Sequence, residues 1–174
     1  MESKSPSIIT LHDLLDYDAR KFAITEMQLK NVLPGWVNKA SALKLKNVLQ
    51  KYFNFIEKNA ANLDAFIEEE KISSLSLVNR VMNAFIEETE LKLTNCTDPE
   101  VKDACLLACI QSINHFKISM YGTAAAFAKA LGKEKATALF YEAETNEKQI
   151  DDRLTQLAEH EINLKATAPV VLPG

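Results

Sequence analysis

Residues 98–132, DPEVKDACLLACIQSINHFKISMYGTAAAFAKALG, carry the clearest helix start and stop signals in the chain. Asp98 is placed to cap a helix N-terminus, Pro99 suits the first helical position, and Glu100 sets an acid in the first turn. Gly132 supplies the left-handed residue that ends the helix after Leu131. Between these signals Leu106, Ile110, Ile113, Lys117, Met120, Ala124, Phe127 and Leu131 recur at helical spacing. The stretch therefore predicts one long helix over 98–131, apolar along one stripe except for a lysine at its middle.

The next helix starts almost at once and runs to about Leu164, so the tight turn at Gly132 makes the two antiparallel. Its stripe is Leu139, Ala143, Glu147, Ile150, Leu154 and Leu157. Upstream, Thr10 and Asp13 form a capping-box pair ahead of Leu11, Leu15, Phe22, Leu29 and Leu33, and Pro34-Gly35 is expected to kink or end that helix. A second helix over about 42–70 carries Leu45, Val48, Leu49, Tyr52, Phe55, Ile56, Leu63, Phe66 and Ile67, and closes on the solvated run Glu68-Glu69-Glu70. A shorter helix over about 75–94, capped from Ser73–Ser76, places Leu77, Val81, Phe85 and Leu91 on one side. Four long helices plus one crossover helix give an all-α, ferritin-like four-helix bundle. Its single domain spans 10–165, between an N-terminal extension (1–9) and a non-helical tail (166–174). Periodicity leaves open whether Phe22 and Trp36 belong to the core or to a dimer surface.

Composition agrees with this class. The chain has 174 residues, 47% hydrophobic and 25% charged, with only four Gly and five Pro, too few for a turn-rich β-sandwich. A formal net charge of −4 argues against binding nucleic acid by phosphate neutralisation. No apolar run reaches the roughly 18–20 residues of a membrane span, and MESKSPSIIT lacks the apolar segment of a secretory signal. Cys96, Cys105 and Cys109 are an odd number, and Cys105 and Cys109 fit packing as small hydrophobes better than zinc spacing. A reduced, cytoplasmic setting is expected.

An inner bundle stripe should be apolar throughout, so its exceptions are informative. Glu26 interrupts the first stripe between Phe22 and Leu29, Lys117 the third, and Glu147 the fourth. Asn114 and Asn146 lie beside the same level. Three helices with an inward polar residue near mid-length predict a polar layer. Ferritin-like proteins build di-metal sites at such a layer from one Glu on each of two helices and Glu-x-x-His on the others, but this chain has no Glu-x-x-His. His115 follows Asn114, and His12 and His160 lie near helix ends.

The run Asn114-His115-Phe116-Lys117-Ile118-Ser119-Met120-Tyr121-Gly122-Thr123, continuing to Ala130-Leu131-Gly132, resembles the signature helix of the YciE/YciF-like proteins. These are a bacterial stress-associated branch of the ferritin-like superfamily. Glu26-Met27-Gln28-Leu29 with Leu33-Pro34, Ala84-Phe85-Ile86-Glu87-Glu88, Asp103-Ala104-Cys105-Leu106, and Glu147-Lys148-Gln149 with Asp151 extend the similarity from about Leu11 to Ala166. Gly122 and Ala124-Ala125-Ala126 suit a close helix approach. The resemblance implies a dimeric bundle with a carboxylate-lined di-metal centre.

This sequence departs from that pattern at the centre. Glu26 and Glu88 match family glutamates, but the family's second-helix glutamate-threonine pair is Phe55-Ile56 here. Its glutamate-histidine-aromatic-glutamate motif is Asn114-His115-Phe116-Lys117, and the first of two adjacent fourth-helix glutamates is Asn146, with Glu147 remaining. The degenerate layer is thus Glu26, Phe55, Asn114, Lys117, Asn146 and Glu147. Lys117 is expected to pair with Glu26 or Glu147.

The reading that follows is a non-catalytic, stress-associated bundle, a homodimer acting as a structural or interaction protein, with no catalytic residues and no cofactor. The alternative is a di-iron or di-manganese oxidoreductase acting on oxygen or peroxide, with Glu26, Glu57, Glu88 and Glu147 as ligands. A small-molecule pocket between helices is neither supported nor excluded. Glycine-rich phosphate loops, a nucleophile elbow and Cys-x-x-Cys are all absent from the sequence.

Overall fold

The computed structural model describes residues 7–73 and 78–167. Five helices account for most of them: α1 (Leu11–Lys39), α2 (Leu43–Glu69), α3 (Arg80–Asn95), α4 (Pro99–Ala130) and α5 (Glu134–Leu157). The chain continues from α5 through a π-helical turn, Ala158–Ile162, into a last α-turn, Asn163–Ala166. The helices α1, α2, α5 and α4 pack in that cyclic order, each against the next, and α3 lies against α4 and α1. Phe22 meets Tyr121 and Phe66 meets Phe140 across facing helices, so every neighbouring pair in the ring is antiparallel. Because α2 and α4 then run the same way, the chain must return the length of the bundle between them. That return is α3, the single crossover of a ferritin-like bundle.

Local chemistry explains most of the boundaries. Thr10 and Asp13 form the full capping box of α1, and the Asp98 side chain accepts from the amides of Glu100 and Val101 at α4. Gly132 adopts φ +68°, the left-handed conformation that turns α4 into α5. For α2, whose own N-cap is Ala42, the cap comes from another helix. Buried Asp103 on α4 accepts from Ser41 N at 2.8 Å and Ala42 N at 2.7 Å.

Three sequence expectations change and one open question closes. Pro34 does not end α1, which continues to Lys39. Pro34 faces solvent, so water can satisfy the carbonyl its missing N–H abandons. The last turn is held by Trp36, fully buried, whose indole donates to Glu90 at 2.5 Å beside Lys39, also at 2.5 Å from Glu90. Trp36 and Phe22 are thereby core residues. α3 begins at Arg80 rather than near 75, because Asn79 caps it, accepting from Met82 N and donating to Thr25 Oγ1 at 2.7 Å. Ser74–Ser76, expected as caps, lie outside the described residues. Helical geometry extends through Ala166, one residue past the expected domain boundary, and 168–174 of the expected tail also lie outside the described residues.

Two apolar clusters fill the bundle. One contains Leu29, Leu33, Trp36, Leu45, Ile56, Ile113 and Ile150; the other contains Phe22, Leu63, Phe66, Met120, Phe140 and Ala143. On each of the four bundle helices the change from one cluster to the other happens at a polar residue: Glu26, Asn59, Lys117 and Glu147. The core is two apolar halves separated by one polar layer. Gly122 sits just beyond it, where a Cβ would come within 3.1 Å of Glu144 Oε1 and 3.2 Å of its Cδ, so the glycine makes room for an α5 carboxylate against α4.

Candidate functional site

The layer has a cation at its centre. Lys117 Nζ lies 2.9 Å from Glu26 Oε2 and 2.5 Å from Glu147 Oε1, and all three side chains are completely buried. The lysine bridges both acids, where the sequence reading asked for one or the other. Its ammonium also stands 4.9 Å from the ring centroid of Tyr52 and 6.0 Å from that of Tyr121, a placement favoured by the negative ring faces. Around this triad each carboxylate collects neutral donors. The Tyr121 hydroxyl donates to Glu26 Oε1, which also receives Asn59 Nδ2 at 3.4 Å. Asn114 Nδ2 donates to Glu147 Oε2 at 2.7 Å and to the Glu147 carbonyl at 2.9 Å.

Electrostatics follow from this geometry. Burial alone would push the Lys117 amine down, but the Glu147 and Glu26 carboxylates outweigh it and hold the ammonium above its ordinary value. Burial raises Glu147 above the usual carboxylate range, against the downward pull of Lys117. Tyr52 and Tyr121, buried beside the two carboxylates, are raised well above an ordinary tyrosine. Two acids, on α1 and α5, and one base, on α4, leave the layer one negative charge in excess, met by neutral donors from α2 and α4.

The sequence-predicted residues divide sharply. Glu26, Asn114, Lys117 and Glu147 are together. Phe55 is half-buried at the edge of α2 with Lys51 5.4 Å from its ring centroid, and its neighbour Ile56 points inward instead. Asn146 is likewise half-buried, one residue and about 100° from the inward Glu147. Glu57 is exposed and paired with Lys30 at 3.3 Å. Glu88 is exposed on α3, 3.5 Å from Lys92. The structure does not bring Glu57 and Glu88 to Glu26 and Glu147, which corrects the proposed four-glutamate ligand set. His115 is an exposed partner of Asp151 at 2.9 Å, and His12 pairs with Asp16 at 3.3 Å.

Three site residues escaped the sequence reading: Tyr52, Asn59 and Tyr121. Asn59 had a signal, since Tyr52, Ile56, Asn59 and Leu63 form one helical stripe that it interrupts. Tyr52 was counted as apolar, and Tyr121, four residues after Lys117, carries its hydroxyl back onto Glu26.

These donors do not fit two dications. Both remaining carboxylates are occupied by the ammonium and by neutral N–H and O–H groups, whereas a di-metal site needs several free carboxylates. Among the described residues, no group of three or more His, Cys, Asp or Glu side chains is placed to hold a metal ion.

Residues 10–167 match the family model described as a domain of unknown function, DUF892. The chain belongs to this family. It is 32% identical to Protein YciF of Escherichia coli (strain K12) over 170 residues, covering 95% of this chain and 98% of that protein. The crystal structure of the E. coli stress protein YciF superposes with a TM-score of 0.81 at 29% identity, covering 90% of this chain and 99% of YciF. YcfI of Rhodopseudomonas palustris gives a TM-score of 0.82 at 24% identity, covering 87% and 96%, which shows a shared fold. A two-domain protein of Anabaena variabilis with a ferritin-like domain gives a TM-score of 0.61 at 15% identity, covering 95% of this chain and 40% of that one. The all-α, ferritin-like bundle is therefore secure. Among the described residues no helix is long and apolar enough to cross a membrane.

Proposed function

We propose that this DUF892 protein is a metal-free, non-catalytic member of the ferritin-like bundles, acting in the cytoplasm as a homodimeric structural or interaction protein under stress. The stress assignment comes from its similarity to YciF, a stress protein. The observation that carries the non-catalytic reading is the Glu26–Lys117–Glu147 triad. An ammonium at 2.9 and 2.5 Å from two buried carboxylates does the charge-neutralising work a metal would otherwise do. Without any cation, those acids would repel each other and take up protons. With Lys117 in place the layer is stable with no ion and presents no open coordination position for oxygen or peroxide. What the protein offers to its surroundings is then its surface.

The test is peroxide and oxygen consumption by the purified protein after incubation with ferrous iron or manganese, beside thermal unfolding with and without each ion. The proposal predicts no turnover and no rise in melting temperature, since a ligand held by the native state must stabilise it. Turnover that disappears on Glu26→Gln would overturn it.

A further inference from the structure

The chain has three cysteines, Cys96, Cys105 and Cys109, and all are free thiols gathered where α3 turns into α4. Cys96 is the C-cap of α3, its N–H bonded to the Lys92 carbonyl at 3.1 Å and its ψ of 116° already outside helical geometry. Helix register brings it to Cys105. α3 and α4 run antiparallel, and Phe85 meets Phe116 across them with ring centroids 5.6 Å apart. From 85 on to 96, and from 116 back to 105, are equal steps of about three helical turns. The contact therefore repeats on the same faces, with Cys96 opposite Cys105. Cys109, buried, lies one turn further along α4 towards Phe116. The Cys105 thiol feels both neighbours: burial, then Cys109 and Cys96, push it up to about 12.

Geometry decides which two sulfurs can bond. Cys105 and Cys109 stand four residues apart on a continuous helix, where Cβ atoms stay about 5–6 Å apart. A disulfide needs roughly 3.5–4.5 Å. Cys96 is under no such constraint, because its backbone has left α3 and only Thr97 and Asp98 separate it from α4. It is partly exposed between exposed Asn95 and Thr97, so a reactant in solution reaches it, and Cys105 is partly exposed as well. Among the described residues no group of three such side chains is placed to hold a metal ion, which leaves the pair the chemistry of sulfur itself.

We propose that Cys96 and Cys105 form a reversible thiol–disulfide exchange site that takes small disulfides of the glutathione class as oxidant and fastens the end of α3 to α4. The Cys96 thiolate attacks one sulfur of the small disulfide, forming a mixed disulfide and releasing the first thiolate. The Cys105 sulfur, its proton given up to water, then attacks the Cys96 sulfur and expels the second. Both leaving thiolates take up the protons that Cys96 and Cys105 released. Two electrons pass from the protein dithiol to the small disulfide, which leaves as two thiols. Cys109 takes no part beyond packing beside Cys105.

The test incubates reduced protein with excess oxidised glutathione in the absence of oxygen, then counts free thiols and maps linked peptides by mass spectrometry. Free thiols per chain should fall from three to one, with Cys96 joined to Cys105, and reduced glutathione should restore all three. Cys105→Ser should stop at the Cys96 mixed disulfide, and Cys109→Ala should form the same bond as wild type. Oxidised wild type should unfold at higher urea than the reduced form, since the bond restrains the unfolded chain; Cys96→Ser should show no such shift. A Cys105–Cys109 bond, a bond formed only between chains, or a wild type that halts at the mixed disulfide would overturn the proposal. So would three thiols that persist under conditions that oxidise the unfolded chain.

Discussion

Replacing Lys117 by Met removes the only cation of the buried layer at nearly constant volume. Glu26 and Glu147 would then share the bundle interior, both fully buried, with neutral donors alone. Their attraction to the ammonium is not screened by solvent, and breaking a buried pair from one side costs about 3–5 kcal/mol. A second route to the magnitude gives the same range. The stranded acids can escape repulsion by binding a proton, and keeping one carboxyl protonated at pH 7 against its ordinary value of 4.5 costs about 3.4 kcal/mol at roughly 1.4 kcal/mol per pH unit. The loss should therefore shrink by about 1.4 kcal/mol for each pH unit of acidification toward 5, because the proton becomes easier to supply. Urea unfolding of wild type and variant at pH 7 and pH 5, followed by far-ultraviolet circular dichroism, measures both numbers. Adding Glu147→Gln to Lys117→Met should recover much of the loss at pH 7. A loss below about 1 kcal/mol, or an equal loss at the two pH values, refutes the reasoning and puts the lysine head group in water.

Further consequences follow from the same structure. Lys117, Tyr52 and Tyr121 are all raised in the native state, so the native protein keeps protons that the unfolded chain releases above ordinary values of 10.0 and 10.5. Stability should hold below that range and fall above it, by up to about 4 kcal/mol per pH unit if all three act together. Tyrosinate absorbance from Tyr52 and Tyr121 should appear only with loss of helical signal, and an unchanged alkaline slope in Tyr52→Phe with Tyr121→Phe would count against this. Asp103→Ala removes both acceptors for the start of α2 and should cost about 1–2 kcal/mol in a denaturant melt, the usual value of a lost N-cap; a neutral effect would show that Ser41 and Ala42 find water instead. The Cys105 thiol is pushed up to about 12 by burial, then by Cys109 and Cys96. At pH 8 it should therefore alkylate far more slowly than an ordinary free thiol, as peptide mass spectrometry after timed iodoacetamide treatment would reveal.

Much of this arrangement was legible in the sequence, and each miss has a physical cause. The caps at Thr10 and Asp98 and the turn at Gly132 are local, so their residues alone announced them. The stripes placed Glu26, Lys117 and Glu147 at one level because helical period is rigid over two or three turns. Family likeness put Phe55 and Asn146 in the layer, and periodicity, which does not resolve a single step of 100° near a stripe edge, could not separate them from the inward Ile56 and Glu147. Glu57 and Glu88 entered through family likeness, and the exposed ion pairs to Lys30 and Lys92 show where these side chains go. Pro34 and the Asp103 cap depended on contacts between distant segments, Trp36 with Glu90 and α4 with the start of α2, that no local rule contains.

Titration of the purified protein with ferrous iron and manganese, read by elemental analysis after desalting, shows whether Lys117 stands where a metal would when wild type and Lys117→Glu are run side by side. No stoichiometric metal is expected on wild type, because the Lys117 ammonium already occupies the space between Glu26 and Glu147, and measurable retention is expected of the variant, where a third carboxylate replaces the ammonium. One or two tightly held ions on each wild-type chain, lost on Glu26→Gln or Glu147→Gln, would contradict that role for Lys117.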